Sequence, residues 1–92
     1  MNVTRKNIMD EEGGVMVTPK IAKEMERTVQ RIEIWNKDEL LLSIGVNRNI
    51  RFDLEHKMLY LDKVRGVTSR IAWDKFVLMD WNRKVLSLRL KE

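Results

Sequence analysis

The chemically most versatile residues of this 92-residue chain surround its single histidine, in the segment Glu55-His56-Lys57. Metal-dependent nucleases place a Glu-x-Lys pair on one face of a strand, beside a metal that an upstream Asp holds, here Asp38 or Asp53. The same three residues suit a hairpin turn, and the chain has no second histidine and no cysteine to complete a metal site. We therefore interpret His56 as a turn residue and predict no metal, no cofactor, no catalytic residue and no enzymatic activity.

The second chemical feature is an excess of positive charge. The chain has 18 Lys or Arg against 14 Asp or Glu, and residues 65–92 alone carry seven bases and three acids. Such an excess is typical of contact with nucleic acid, although a basic soluble surface gives the same pattern. The predicted phosphate-binding residues are six of the seven bases of this last third and three bases of a predicted helix: Arg65, Arg70, Lys75, Arg83, Lys84, Arg89, Lys20, Lys23 and Arg27.

Two of the three tryptophans, Trp73 and Trp81, lie in the same basic third. Aromatic faces within a basic groove hold single-stranded nucleic acid by stacking on its bases, so both residues are candidates for that role. A small β-domain also needs large aromatic side chains to fill its core, and this alternative applies to each tryptophan.

Composition limits the remaining possibilities. Apolar residues make up 43% and charged residues 35% of the chain, a globular balance, and 92 residues correspond to one domain. No apolar run approaches the 18 residues of a membrane span, and the first residues lack the hydrophobic core of a secretory signal. The prediction is one domain without membrane contact, in an intracellular (cytoplasmic) compartment.

Residues 40–62 are predicted to form three consecutive strands, an antiparallel meander with turns at 47–49 and 55–57. In the middle strand Ile50, Phe52 and Leu54 alternate with charged residues, as expected for one buried and one solvated face. The first strand is apolar on both faces, which predicts that both of its faces are covered.

Around this centre, Thr18 and Pro19 indicate the start of a helix whose apolar stripe includes Ile21, Met25 and Val29. Residues 31–35 and 40–46 are predicted to pair as a hairpin, and residues 65–69 to form a turn. Residues 70–79 suit either a short helix or a strand, with strand favoured for 75–81. A turn at 82–83 then leads to a last strand at 85–90.

The predicted fold class is therefore mainly β (α+β). It is an antiparallel meander forming a small barrel or sandwich of about six strands, with one N-terminal amphipathic helix. The compact domain is predicted to span residues 15–92, after a flexible arm at residues 1–14.

Two segments of the first half carry a family resemblance. EEGGVMVTPK at residues 11–20 resembles the acidic–Gly–basic–strand–Pro–Lys opening of swapped-hairpin DNA-binding proteins of the AbrB and MraZ type, and RIEIWNKDE at residues 31–39 resembles the strand and turn that end an MraZ half. Val15 stands where the family has a base, whereas Lys23 matches a basic position of its helix. The resemblance implies an intertwined dimer that binds DNA through basic residues around the proline.

Two functional hypotheses follow. The first is a small, basic, non-catalytic nucleic-acid-binding domain that forms a homodimer, with a regulatory role as one option. The alternative is a protein–protein interaction module, an assembly component or an inhibitor, that acts through sheet edges and apolar patches.

Overall fold

The computed structural model describes the backbone of residues 5–7 and all of residues 17–91. This part of the chain contains one α-helix, one short 3₁₀ helix and eight strands. In chain order they are β1 (Arg5–Asn7), α1 (Pro19–Thr28), β2 (Arg31–Asn36), β3 (Glu39–Gly45), β4 (Ile50–Asp53), β5 (Met58–Val64), β6 (Val67–Ala72), the 3₁₀ helix (Trp73–Lys75), β7 (Phe76–Asn82) and β8 (Val85–Leu90).

The strands form two sheets. The larger has the order β1-β7-β8-β2-β3, and the smaller is the meander β4-β5-β6. All pairs are antiparallel except β2 with β8, which run parallel with Arg31 opposite Val85 and Trp35 opposite Arg89. A parallel pair needs a long connection, and here the six elements between the two strands supply it.

Helix α1 begins as the sequence predicts. Thr18 is the N-cap, with its Oγ1 accepting a hydrogen bond from Ile21 N at 3.2 Å, and Pro19 occupies the first turn. Ala22 and Met25 are buried on the inner side. On the same helix Glu26 Oε2 accepts the backbone N–H of Phe52 at 2.7 Å, so a side chain caps a donor on strand β4.

The core lies between the inner faces of the two sheets and α1. It consists of apolar side chains from every one of these layers. The members are Ala22, Met25, Val29, Ile32, Val46, Ile50, Phe52, Leu59, Leu61, Val64, Trp73, Phe76, Met79, Trp81, Leu86 and Leu88. Phe52 and Trp73 join the smaller sheet to the 3₁₀ helix, with ring centroids 5.8 Å apart.

The predicted fold class is confirmed: the chain is mainly β, with two sheets packed as a sandwich and one N-terminal helix. The predicted hairpin of residues 31–35 and 40–46 is confirmed as the β2–β3 pair. The predicted membership of the meander is wrong, because β3 and β4 lie in different sheets and the meander is β4-β5-β6. The turn after β3 sends the chain from one sheet to the other. Its polar residues suit such a crossing as well as a hairpin.

The segment between residues 65 and 82 resolves the other ambiguity. Only residues 65–66 form a turn, and β6 starts at Val67, two residues inside the turn predicted for 65–69. The 3₁₀ helix Trp73–Lys75 is followed by β7, so the strand favoured for residues 75–81 is confirmed. Of the arm predicted for residues 1–14, only Arg5–Asn7 is described, and it pairs with β7; the rest lies outside the described residues.

The assignment of the core predicts that replacing two different leucines by alanine has unequal effects on stability. Leu88 is fully buried, so Leu88→Ala should lower the free energy of unfolding by about 2–5 kcal/mol through lost burial and the cavity left behind. Leu41 is half exposed, and Leu41→Ala should change it by no more than about 0.5 kcal/mol. Urea denaturation at low protein concentration measures both, and equal effects would contradict this core.

Candidate nucleic-acid interface

Three loops meet at one end of the larger sheet. Lys84 O, in the β7–β8 turn, accepts hydrogen bonds from Gln30 N at 2.7 Å and Arg31 N at 3.1 Å, at the α1–β2 junction. The β3–β4 turn joins them, because Arg48 N donates to Val29 O at 2.9 Å. Backbone hydrogen bonds thus hold residues 29–31, 46–49 and 82–85 in fixed relation.

These loops bring four bases together. We call this surface the basic end and define it as Arg31, Arg48, Arg83 and Lys84, all exposed. The three loop segments contain no acidic residue, and their other polar side chains are amides: Gln30, Asn47, Asn49 and Asn82. Arg, Lys and amide side chains are the usual donors to phosphate oxygens, so the surface has the chemistry of a phosphate-binding site.

The backbone of the basic end is costly for its residue types. Asn47 and Arg48 have φ of 51° and 67°, in a turn closed by Asn49 N donating to Val46 O at 2.8 Å, and Arg83 has φ of 58°. Glycine adopts this left-handed conformation most readily, and other residues pay roughly 1–2 kcal/mol. A base at such a position therefore lowers stability, and a role for its side chain would explain why it is there.

Basic residues occupy most of the left-handed backbone positions of the described residues. Seven non-glycine residues of the described part have positive φ, and six of them are bases. They are Lys37, Arg48, Lys57, Lys63, Arg65 and Arg83, with Asn47 the exception. All six side chains are exposed, and all except Lys63, which lies within β5, are in turns between strands. The pattern therefore displays positive charge mainly at the ends of the sheets.

Arg31 lies where the basic end meets the edge of the larger sheet. Its Nη1 donates to Ser43 Oγ on β3 at 2.9 Å, and its Nη2 lies 3.9 Å from where a Cβ of Gly45 would be. The guanidinium is therefore held over the end of β3, and its charge is fixed at that edge.

The structure divides the nine predicted basic residues among several places. Arg83 and Lys84 belong to the basic end, and Arg27 lies in the last turn of α1, two residues before Val29. Lys20 and Lys23 are exposed on the first half of the same helix. The remaining four lie elsewhere: Arg65 and Arg70 on the smaller sheet, and Lys75 and Arg89 toward the far end of β8.

The predicted stacking role of the tryptophans is wrong for both residues. Trp73 is 3% and Trp81 is 7% exposed, so neither presents a ring face to a base. Trp81 Nε1 donates to Arg83 O at 2.8 Å, which ties the core to the backbone of the β7–β8 turn. The core alternative therefore holds, and Trp81 contributes to the basic end only by fixing that turn.

Two members of the basic end, Arg31 and Arg48, are not among the residues predicted from the sequence. Arg48 is the central residue of a polar turn, and Arg31 is the first residue of a predicted strand. The sequence gives no local sign that either lies beside Lys84, since the parallel pairing of β2 with β8 is what brings them together.

A different surface occupies the outer face of the larger sheet. A cavity of about 260 Å³ there is lined by Glu33, Trp35, Asp38, Leu78, Asp80, Ser87, Leu88 and Arg89. Ser87 Oγ donates to Glu33 Oε1 at 3.3 Å, and Trp35 Nε1 points to the same oxygen at 3.4 Å. Three carboxylates make this cavity unsuited to phosphate, and they place Arg89 in an acidic environment.

On the smaller sheet the exposed charges compensate each other. Arg51 Nε donates to Asp62 Oδ2 at 3.1 Å, and the carboxylate raises the pKa of Arg51 above its ordinary value. The guanidinium also lies 4.4 Å from the centroid of the Tyr60 ring. One face of this tyrosine is thus already occupied by a cation from its own chain.

The histidine segment forms the predicted turn between β4 and β5. His56 bonds to Asp53 through its ring Nδ1 at 2.8 Å and its backbone N at 3.2 Å. Glu55 and Lys57 lie in the turn at residues 54–57 and not on a strand, so the nuclease geometry is not formed. No cluster of three metal-ligating side chains occurs within the described residues.

Comparisons with known proteins add no further constraint. No family model, curated protein or solved structure matches the chain. Across residues 17–91, no helix is both long and apolar enough to cross a membrane.

The His56 turn predicts a titration effect. The hydrogen bonds from His56 lower the pKa of Asp53 below its ordinary value, with the ring contact the larger cause. His56→Ala should raise that pKa, and carbon-detected NMR titration of the Asp53 carboxyl measures it.

A carboxyl whose pKa is lowered by folding stabilises the fold above its unfolded pKa, and this stabilisation is lost as pH falls through the folded pKa. The variant should therefore lose less stability than the native chain on acidification below about pH 4. An unchanged Asp53 pKa would contradict the assigned hydrogen bond.

The positive φ of Arg48 predicts a stabilising substitution. Arg48→Gly should raise the free energy of unfolding by about 0.5–1 kcal/mol, because relief of the left-handed strain exceeds the entropic cost of glycine. The matched control is Arg70→Gly in β6, an exposed strand position where glycine should lower it by roughly the same amount. Urea denaturation of both variants checks the sign, and a destabilised Arg48→Gly would contradict the turn geometry.

Proposed function

We propose that this chain is a nucleic-acid-binding domain that contacts the phosphate backbone through the basic end. The observation that carries the proposal is the convergence of Arg31, Arg48, Arg83 and Lys84 on three loops without a carboxylate. Each phosphate contact releases condensed counterions, which favours binding to a polyanion of high charge density.

The rigidity of the basic end supports this proposal. Its loops are held by backbone hydrogen bonds of 2.7–3.1 Å, and Trp81 fixes the β7–β8 turn from the core side. Cations on a fixed frame lose less conformational entropy on binding than cations on free loops. The cost of left-handed backbone at Arg48 and Arg83 is also accounted for if their side chains serve binding.

The mode of recognition follows from what the surface lacks. The described aromatic rings near the basic end are buried, and its side chains are bases and amides. Phosphate contacts position a protein on nucleic acid but do not read its sequence. The proposed activity is therefore sequence-independent binding with a strong dependence on salt, without catalysis.

The alternative, a protein–protein interaction module, is supported by a separate observation. Three consecutive residues of β3, Leu40, Leu41 and Leu42, are 40–50% exposed at the edge of the larger sheet. Exposed apolar edge strands are typical docking sites for another strand.

A salt series tests the proposed function. Binding to a fluorescent duplex of about 20 base pairs and to a single strand of the same length is measured by anisotropy between about 50 and about 200 mM salt. The logarithm of the association constant should fall linearly with the logarithm of salt concentration. Lys84→Gln should reduce the slope by about 0.9, and Arg48→Gln/Lys84→Gln by about 1.8.

The matched control removes the same charge from another place. Lys57→Gln and Lys63→Gln alter two exposed lysines of the smaller sheet, one in the β4–β5 turn and one in β5, and both residues have φ of 54°. They should leave the slope unchanged within about 0.3. Absence of binding at low salt, or equal effects of the two pairs, would refute the basic end as the binding surface.

A further inference from the structure

The edge strand β3 has the features of a self-pairing surface. Within the described part of the chain it pairs only with β2, so one row of its backbone N–H and C=O groups is left without a strand partner. Its seven residues give an edge about 24 Å long. Proteins often place charged residues or proline along such an edge, whereas three exposed leucines follow one another here.

Charge is unequal along this edge. The start of β3 carries Asp38 and Glu39 beside a single base, Lys37. The other end carries no acid, and there Arg31 is held over Gly45 and Arg48 follows in the turn. The strand thus runs from a net negative end to a positive end.

We propose that β3 pairs antiparallel with β3 of a second copy of this chain, forming a twofold dimer with one continuous sheet. Antiparallel pairing places the acidic start of each strand against the basic end of its partner, whereas parallel pairing would oppose like charges. A twofold axis through the middle of β3 also brings the leucines of the two copies together. This inference does not depend on nucleic-acid binding.

The shape of the β3 edge limits which partners can pair with it. A bulge between Ile34 and Trp35 interrupts the β2–β3 register, with Trp35 opposite Leu40 and Ile34 opposite Leu42. Bulges twist an edge strand and disfavour long, register-independent pairing. The occupant is therefore expected to be a single strand in one register, as in a closed dimer, and the assembly to end at two copies.

Sedimentation equilibrium without nucleic acid tests the dimer. The native chain should pass from monomer to dimer between roughly 1 and 500 µM, as expected for a small interface. Leu41→Lys should weaken association on the order of tenfold or more, because a charge replaces an apolar contact. Val67→Lys, at an equally exposed position of edge strand β6, should leave association unchanged. Circular dichroism confirms that both variants are folded.

A charge exchange tests the antiparallel orientation. Glu39→Lys and Arg31→Glu should each weaken homodimers on the order of tenfold, since Glu39 faces Gly45 of the other copy, where Arg31 is held, and each substitution creates two like-charge contacts across the axis. An equimolar mixture should recover dimer, because the introduced lysine of one copy then faces the introduced glutamate of the other, while the native Glu39 and Arg31 still pair. A native chain that stays monomeric, or a mixture no more associated than its components, would overturn the proposal. Loss of nucleic-acid binding would not overturn it, because the proposed dimer does not depend on that binding.

Discussion

The arrangement of this molecule depends on one non-local constraint, the parallel pairing of β2 with β8. Parallel strands start at the same edge of a sheet, so the residues that precede them are brought side by side. Here these are Gln30 and Lys84, joined by a 2.7 Å hydrogen bond. The same pairing places β8 at the centre of the larger sheet and moves β3 to its edge. The basic end and the exposed leucine edge are thus two consequences of one strand pairing.

Local features of the fold were predictable from the sequence because local chemistry determines them. The Thr18 cap, the proline after it and the alternation in the last two strands require no knowledge of distant partners. The pairing of β3 with β2 was also predicted, but the separation of β3 from β4 was not predictable in this way. Residues 47–49 have the composition of a hairpin turn, yet the backbone N–H groups of Asn47 and Arg48 donate to Gln30 O and Val29 O, which redirects the chain into the second sheet. A polar turn fixes where a strand ends but not which strand comes next to it.

The candidate site, like the fold, was predictable from the sequence only in its local features. The excess of positive charge could be counted, and Arg83 and Lys84 were among the residues predicted from it. Their true neighbours, Arg31 and Arg48, lie in segments with nearly balanced charge, so composition gave no sign of them. The tryptophans were misplaced for a related reason. Trp73 and Trp81 are close to bases along the chain, but strand alternation and the 3₁₀ helix direct their rings inward.

The two surfaces adjoin, because β3 leads directly into the turn that carries Arg48. Antiparallel pairing of two β3 strands would therefore leave one basic end at each end of the shared edge, separated by about the length of the strand, roughly 24 Å. Two separated phosphate-binding surfaces on one rigid body favour a ligand long enough to reach both, since the second contact is then intramolecular. A short oligonucleotide gains nothing from this arrangement. Length dependence of affinity would thus arise from the dimer, while salt dependence arises from each basic end alone, and the two properties have separate structural origins.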